Sequence, residues 1–307
     1  MSKKLIVLLL ALGVLIIVSL TGCDKDEATN PDEKLVGDIN DPQFLLFEEA
    51  MDAPDETSEI MFGLMFEFLD TVDIIHTAAP PPVNSPLSPL LAEADTVFVV
   101  YHAGSQYWYR TAQFSEATGS DTLALTLEDS LQFLHAIGPV QWPDSALLVG
   151  LNHGALLTIE SNTEDTVEAA QWISLTGDIA SEGDVTLNGT QSFGIFLTDD
   201  AGPCSFALDI ATTATNVLLN IAHTDSGGCP SAGVLAQNGT VGIECTGDTT
   251  VSFSDTWTIT QTFTGNDQYT IVAENSTTRW TYSGSCADEQ TKSTFAQRIR
   301  QVFNEEL

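Results

Sequence analysis

Alternation of apolar and polar residues dominates the chain from Thr96 to about Ser283. It is clearest in Thr256–Phe263, where every even-numbered position is threonine and the odd-numbered positions are mainly large and apolar. A period of two is typical of a strand with one buried face and one solvated face. The pattern predicts about fifteen short strands in this region, separated by turn-forming residues.

Turn signals between these runs predict how the strands connect. Asn188-Gly189 and Asn238-Gly239 are dipeptides typical of tight hairpin turns, and Gly265-Asn266-Asp267 is a slightly longer version. Successive hairpins make an antiparallel meander, and twisted open sheets rarely exceed roughly ten strands. We therefore predict a mainly β fold in which residues 96–286 form a curved sheet, a barrel or a sandwich, accompanied by an N-terminal apolar helix and a C-terminal amphipathic helix.

The N-terminal helix is predicted within a helical segment at 41–76, chiefly over Asp55–Ile75. Its polar residues form one narrow stripe, so most of its surface must be buried. We favour ordinary core packing against the concave side of the sheet. The alternative is a lid or plug over an apolar pocket, with adaptable methionines in its lining. The candidates for that lining are Met61, Phe62, Met65, Phe66 and Leu69.

Two further segments flank the predicted sheet. Residues 77–95 contain five of the twelve prolines, which excludes a helix and favours a semi-rigid linker. Residues 287–307 have apolar residues at helical spacing, which predicts an amphipathic helix that packs back on the β domain. A helix that binds a partner is the second interpretation. The apolar positions are Phe295, Ile299, Val302, Phe303 and Leu307.

The first 23 residues have the pattern of an export signal. Lys3 and Lys4 precede the apolar run Leu5–Val18, and small residues precede Cys23. The uncharged stretch lies at the lower length limit for a transmembrane helix, so length does not separate an anchor from a signal. The cysteine does, because Leu20-Thr21-Gly22-Cys23 resembles the lipobox of bacterial lipoproteins.

The resemblance implies where the protein lies, and nothing about its activity. It implies that residues 1–22 are a removable signal peptide and that Cys23 carries the lipid, palmitate included. The membrane is thus a partner through this N-terminal lipid, and the protein lies in the cell envelope, on the periplasmic or outer surface side of a bacterial membrane. Residues 23–40 are polar and acidic, which is typical of a flexible tether.

The charge distribution excludes one class of partner. The chain has 43 acidic and 9 basic residues, and no Lys or Arg occurs between Arg110 and Arg279. Nucleic acids require cationic side chains that displace counterions from phosphates, so we expect no nucleic-acid partner. The acidic excess is explained by solubility, and it identifies no protein partner.

Four cysteines remain once Cys23 is assigned to lipid. They are Cys204, Cys229, Cys245 and Cys286, an even number in an exported chain, which predicts two disulfides. Four cysteines allow three pairings, and the sequence does not choose among them. A zinc site or a catalytic thiol is the alternative, but the paired spacing of metal sites and neighbouring cations are both missing.

No motif for catalysis stands out. The sequence contains no nucleophile elbow, zinc-protease motif, phosphate loop or calcium loop, so we assign no catalytic residue, metal or cofactor. His135 and His153 lie in neighbouring strand candidates and are a weak hypothesis for a shared metal.

Two functional hypotheses follow. The first is a non-enzymatic, lipid-anchored envelope protein that binds an apolar ligand or lipid, or serves as a scaffold. The second is an exported hydrolase that acts on polysaccharide or peptide through paired carboxylates, which requires two partly buried carboxylates in one cleft.

Overall fold

A single twelve-stranded sheet forms the described part of the molecule. The computed structural model describes residues 34–38, 40, 61, 68, 96–118, 121–134, 150–162, 164–177, 183–198, 204–220, 230–245 and 251–285. The strands are β1 (Leu35–Val36), β2 (Thr96–His102), β3 (Tyr107–Thr118), β4 (Asp121–Leu134), β5 (Gly150–Ser161), β6 (Thr166–Gly177), β7 (Asp184–Thr198), β8 (Cys204–Asn220), β9 (Ala232–Cys245), β10 (Val251–Gly265), β11 (Gln268–Glu274) and β12 (Thr278–Ser285).

Strands β2 to β12 form an antiparallel meander in which each strand pairs with its neighbours in sequence. The predicted mainly β meander is therefore confirmed. The sheet is not closed, because β1 and β2 occupy its two edges. Strand β1 pairs in parallel with β12, which makes the sheet mixed. The predicted terminal helices lie outside the described residues, apart from two positions discussed below.

Strand β1 belongs to the segment predicted as a flexible tether. The N–H of Leu35 donates to the carbonyl of Thr277 and that of Gly37 to the carbonyl of Arg279, both at 2.9 Å. Lys34 Nζ lies 3.1 Å from a carboxylate oxygen of Glu274. The last part of the segment 23–40 thus adds to one sheet edge and covers it.

The strands are longer than the predicted ones, and two predicted hairpin turns are wrong. Asn188-Gly189 lies within β7 and Asn238-Gly239 lies within β9. At Asn188 the register with β8 shifts, which is a β-bulge. The Asn188 side chain accepts a 2.7 Å hydrogen bond from the N–H of Asn216 across the bulge. Asparagine and glycine therefore serve a bulge and not a chain reversal at this position.

The third predicted turn is confirmed. Asn266 and Asp267 connect β10 to β11 with φ of +54° and +58°. Positive φ at both central residues is the geometry of a tight hairpin turn, and asparagine and aspartate tolerate it better than other non-glycine residues.

The two faces of the sheet differ sharply in burial. Inward-facing side chains form two apolar clusters, one towards each end of the strands. Met61 and Phe68 have helical backbone and no solvent exposure; Met61 belongs to one cluster and Phe68 to the other. The inward-facing side of the sheet is therefore the core. We call it the concave face, after the curvature predicted from the sequence, and Met61 and Phe68 of the segment 41–76 pack into it.

Candidate functional sites on the two faces of the sheet

A row of buried polar side chains crosses the concave face between the two apolar clusters. We call this row the polar belt. It has one member on each of the eight strands β3 to β10, and every member is at most 9% exposed. The members are Arg110, Asp129, His153, Gln171, Gln191, Thr212, Gln237 and Gln261.

Strand register brings most of the polar belt to one level. Asp129 lies opposite Arg110, and Gln191 lies opposite both Gln171 and Thr212. His153 and Gln261 lie one inward-facing position away from that level. Because inward positions recur every second residue, one polar residue per strand separates apolar residues on either side.

The charged end of the polar belt is a compact group of three side chains. Arg110 Nη2 donates a hydrogen bond to Asp129 Oδ2, and His153 Nε2 lies 3.3 Å from Asp129 Oδ1. The Arg110 guanidinium carbon lies 4.6 Å from the centre of the Phe68 ring, which is a cation–π contact. Phe68 thus connects the helical segment to the polar belt.

Burial determines the protonation of the His153 ring. Desolvation lowers the pKa of His153, and the positive charge of Arg110 lowers it further, while Asp129 opposes both. The ring is therefore neutral at neutral pH. Beside this neutral ring, Arg110 and Asp129 form a buried ion pair.

The neutral part of the polar belt has unused hydrogen-bonding capacity. Among the described residues, neither amide atom of Gln171 has a partner, and the same holds for Gln237 Oε1 and His153 Nδ1. A buried polar group without a partner costs about 1–3 kcal/mol. These atoms point into the concave face and are available to a polar group lying there.

The predicted site residues fall in different places. Met61 lies in the core, while Phe62, Met65, Phe66 and Leu69 lie outside the described residues.

The cysteines are similarly divided. Cys204 and Cys245 pair backbone to backbone across β8 and β9. Cys23, Cys229 and Cys286 lie outside the described residues.

His153 contacts Asp129, while His135 lies outside the described residues. The part of the chain that the structure describes contains no group of three or more His, Cys, Asp and Glu side chains close enough to share a metal.

The polar belt was not predicted from the sequence. The signal for it in the sequence was one polar residue at an inward-facing position of each strand from β3 to β10. Each such residue looks like a break in the alternation until the register between the strands is known.

The outer face carries a shallow groove of about 330 Å³ across β5 to β10. Glu168 and Asp209 flank it on either side of Gly194, to which both are paired in register. Both carboxylates are exposed. A general acid of a hydrolase requires a desolvated carboxyl, so this pair gives the hydrolase hypothesis no support. The lining residues include Leu156, Ala170, Ser192, Ala211, Asn238, Thr240 and Thr256.

No helix among the described residues has the length and apolarity needed to span a bilayer. Comparison of the chain with protein-family models, with curated proteins and with solved structures found no match. Function is therefore inferred from the geometry of the two faces of the sheet.

Proposed function

We propose that this protein is a lipid-anchored, non-enzymatic envelope scaffold whose sheet packs around a helical segment of its own chain and presents its outer face to the surroundings. The complete burial of Met61 and Phe68 in the two apolar clusters carries this proposal. A carrier requires an empty concave face, whereas these two side chains occupy both ends of it.

Anchoring rests on the lipobox at Leu20–Cys23. Acyl chains on Cys23 hold a protein at a membrane because each buried methylene contributes about 0.8 kcal/mol, and more than one chain makes anchoring stable. Metabolic labelling with a palmitate analogue tests this step. The wild-type chain should be labelled and membrane-bound, and Cys23→Ser should be unlabelled and released. An unlabelled wild-type chain that starts at Met1 would refute the anchor.

The packed interior predicts that no lipid is bound inside the sheet. Mass spectrometry of organic extracts from the purified protein should find no stoichiometric lipid other than the covalent anchor. A fluorescent apolar probe should not gain intensity on mixing. Bound lipid or probe uptake would overturn the scaffold proposal and favour a carrier.

Substitution at the helical segment tests the same packing. Phe68→Ala should lower the free energy of unfolding by about 3–5 kcal/mol, because it leaves a cavity beside Arg110. Phe98→Ala is the matched control, since Phe98 is 67% exposed. Equal effects of the two substitutions in urea unfolding would show that the helical segment does not stabilise the sheet.

Binding of an apolar ligand is the second candidate, and the polar belt favours it. The unpaired amide of Gln171 and carbonyl of Gln237 would hydrogen-bond the polar group of an amphiphile whose apolar parts enter both clusters. If lipid is found, Gln171→Leu should reduce its amount. Ser192→Leu, on the outer face of the adjacent strand, should leave the bound amount unchanged.

A further inference from the structure

The groove on the outer face has a floor of small residues. Gly194 lies at its centre between Glu168 and Asp209, and Ala170 and Ala211 flank the floor on β6 and β8. A Cβ added to Gly194 would lie 3.2 Å from Asp209 Oδ1 and within 4 Å of no other atom outside the adjoining residues. The floor is therefore open beside the Asp209 carboxylate, which can accept hydrogen bonds from a ligand that lies there.

An exposed indole lies beside this floor. Trp172 is two residues along β6 from Ala170 and is 45% exposed. Its six-membered ring packs on Gly154 of the adjacent strand, because a Cβ built there would lie 2.5 Å from Trp172 Cε3. Leu156, 39% exposed, lies two residues along β5 from Gly154. The ring is therefore held against the sheet with part of its surface open to solvent.

The polar lining has acceptors and neutral hydroxyl or amide groups. Glu168 and Asp209 accept hydrogen bonds, while hydroxyl and amide groups come from Ser192, Asn238 and Thr240. No Lys or Arg occurs from 111 to 278 in the sequence, so no cation arises from the strands that form the groove. Phosphates, sulfates and acidic polymers are disfavoured for this reason.

We propose that this groove and the adjoining Trp172 bind a neutral oligosaccharide, with one sugar ring stacked on Trp172 and the hydroxyls of another ring donating to Glu168 and Asp209. Glu168 lies four residues along β6 from Trp172, about 13 Å, so the ligand spans more than one ring. The C–H groups of a sugar ring carry partial positive charge, which the negative face of an indole attracts. Hydroxyl donors to carboxylates make charge-assisted hydrogen bonds, which are stronger than neutral ones. The proposal rests on the proposed function, because a scaffold with a packed concave face leaves the outer face for recognition.

Affinity gel electrophoresis tests the proposal directly. The full-length lipidated protein is run in native gels that contain a dissolved neutral polysaccharide, from a panel of glucans, mannans, galactans and xylans. A polyoxyethylene detergent keeps it soluble, because detergents with sugar headgroups would compete. Parallel gels contain polygalacturonate or no polymer. At least one neutral polysaccharide should retard the wild-type band, and polygalacturonate should not.

Two substitutions should reduce or remove the retardation. Trp172→Ala should weaken binding about tenfold, the size of effect typical of a lost stacking platform. Gly194→Val should abolish it by filling the floor, with little cost to folding because the nearest atom is the end of the Asp209 side chain.

Each has a matched control on the outer face. Phe98→Ala removes an exposed ring away from the groove. Gly242→Val adds the same side chain at a glycine with open space around it. Both should bind like the wild-type chain.

The remaining outcomes overturn the proposal. These are no retardation by any neutral polysaccharide, equal retardation of the Trp172→Ala variant, or retardation by polygalacturonate. One further gel contains polylysine. Retardation by polylysine alone would identify a cationic partner instead, provided that it disappears in 0.5 M salt, where charges are screened within about 4 Å. Probe uptake reports on the concave face and gel retardation on the outer face, so failure of the scaffold proposal is distinguishable from failure of this one.

Discussion

Two tryptophan–glycine pairs lie on opposite faces of the sheet and use the same local arrangement. On the concave face Trp257 covers Gly239, where a Cβ would lie 2.2 Å from Trp257 Cζ2. On the outer face Trp172 covers Gly154 in the same way. Trp257 is 1% exposed and Trp172 is 45% exposed. The same residue pair thus lies in the core on one face and is nearly half exposed on the other.

The largest expected effect is the difference in stability between the two tryptophan-to-alanine variants. Trp257→Ala should lower the free energy of unfolding by about 3–5 kcal/mol, because it opens a cavity in a packed cluster. Trp172→Ala should cost less than about 1 kcal/mol, since its ring is already half solvated. Urea unfolding measures both. A larger loss for Trp172→Ala would show that the outer ring is structural.

A comparison of carboxylates gives an effect of similar size. Asp129→Ala removes the carboxylate that pairs with the buried Arg110 and should cost about 3–5 kcal/mol. Asp209→Ala, on the exposed face, should change stability by less than about 0.5 kcal/mol. The double variant Arg110→Leu with Asp129→Leu should recover most of the loss, because no uncompensated charge is then buried. Failure to recover would mean that the ion pair itself stabilises the fold.

A third prediction concerns the pairing of the cysteines. Cys204 and Cys245 lie directly opposite in antiparallel strands, where Cα atoms are about 4.5–5.5 Å apart, within the range of a disulfide. We therefore propose the pairs Cys204–Cys245 and Cys229–Cys286. Mass spectrometry of non-reduced peptides should find these two links. Any other pairing would refute this proposal.

The same cysteine pair should also contribute to stability. Replacing Cys204 and Cys245 together with Ala should cost about 2–4 kcal/mol, because the crosslink restricts the unfolded chain. The change should disappear when wild-type and variant are compared under full reduction.

The smallest expected effect is the pH dependence of stability that the buried His153 causes. Burial lowers the pKa of His153 in the folded protein, so the unfolded chain binds more protons as pH falls through the unfolded value of about 6.5. The stabilising contribution of the neutral ring is present above that pH and is lost as pH falls below it.

The loss from His153 should be at most about 1.4 kcal/mol per pH unit. His153→Gln should flatten the stability profile between pH 7 and pH 5 relative to the wild-type chain. His102→Gln is the control, because His102 is exposed. Parallel profiles for the wild-type and His153→Gln chains would show that His153 is not desolvated as described.

Much of the fold was predictable from residue alternation, and the polar belt was not. The region predicted to form strands begins at Thr96, and β2 begins at the same residue. Strand β7 was predicted as two strands, since Asn188 and Gly189 resemble a turn. A bulge and a hairpin use the same residue types, and only the partner strand distinguishes them.

The sequence by itself determined the strand class, the order of the meander and the residues of the turn at Asn266 and Asp267, because alternation and turn chemistry are local properties. Only the tertiary structure decided that the sheet stays open, that Met61 and Phe68 are buried in its two apolar clusters, and that eight separate polar residues form one belt. Those features depend on register between strands distant along the chain, where a shift of one residue would reverse every side chain between core and solvent.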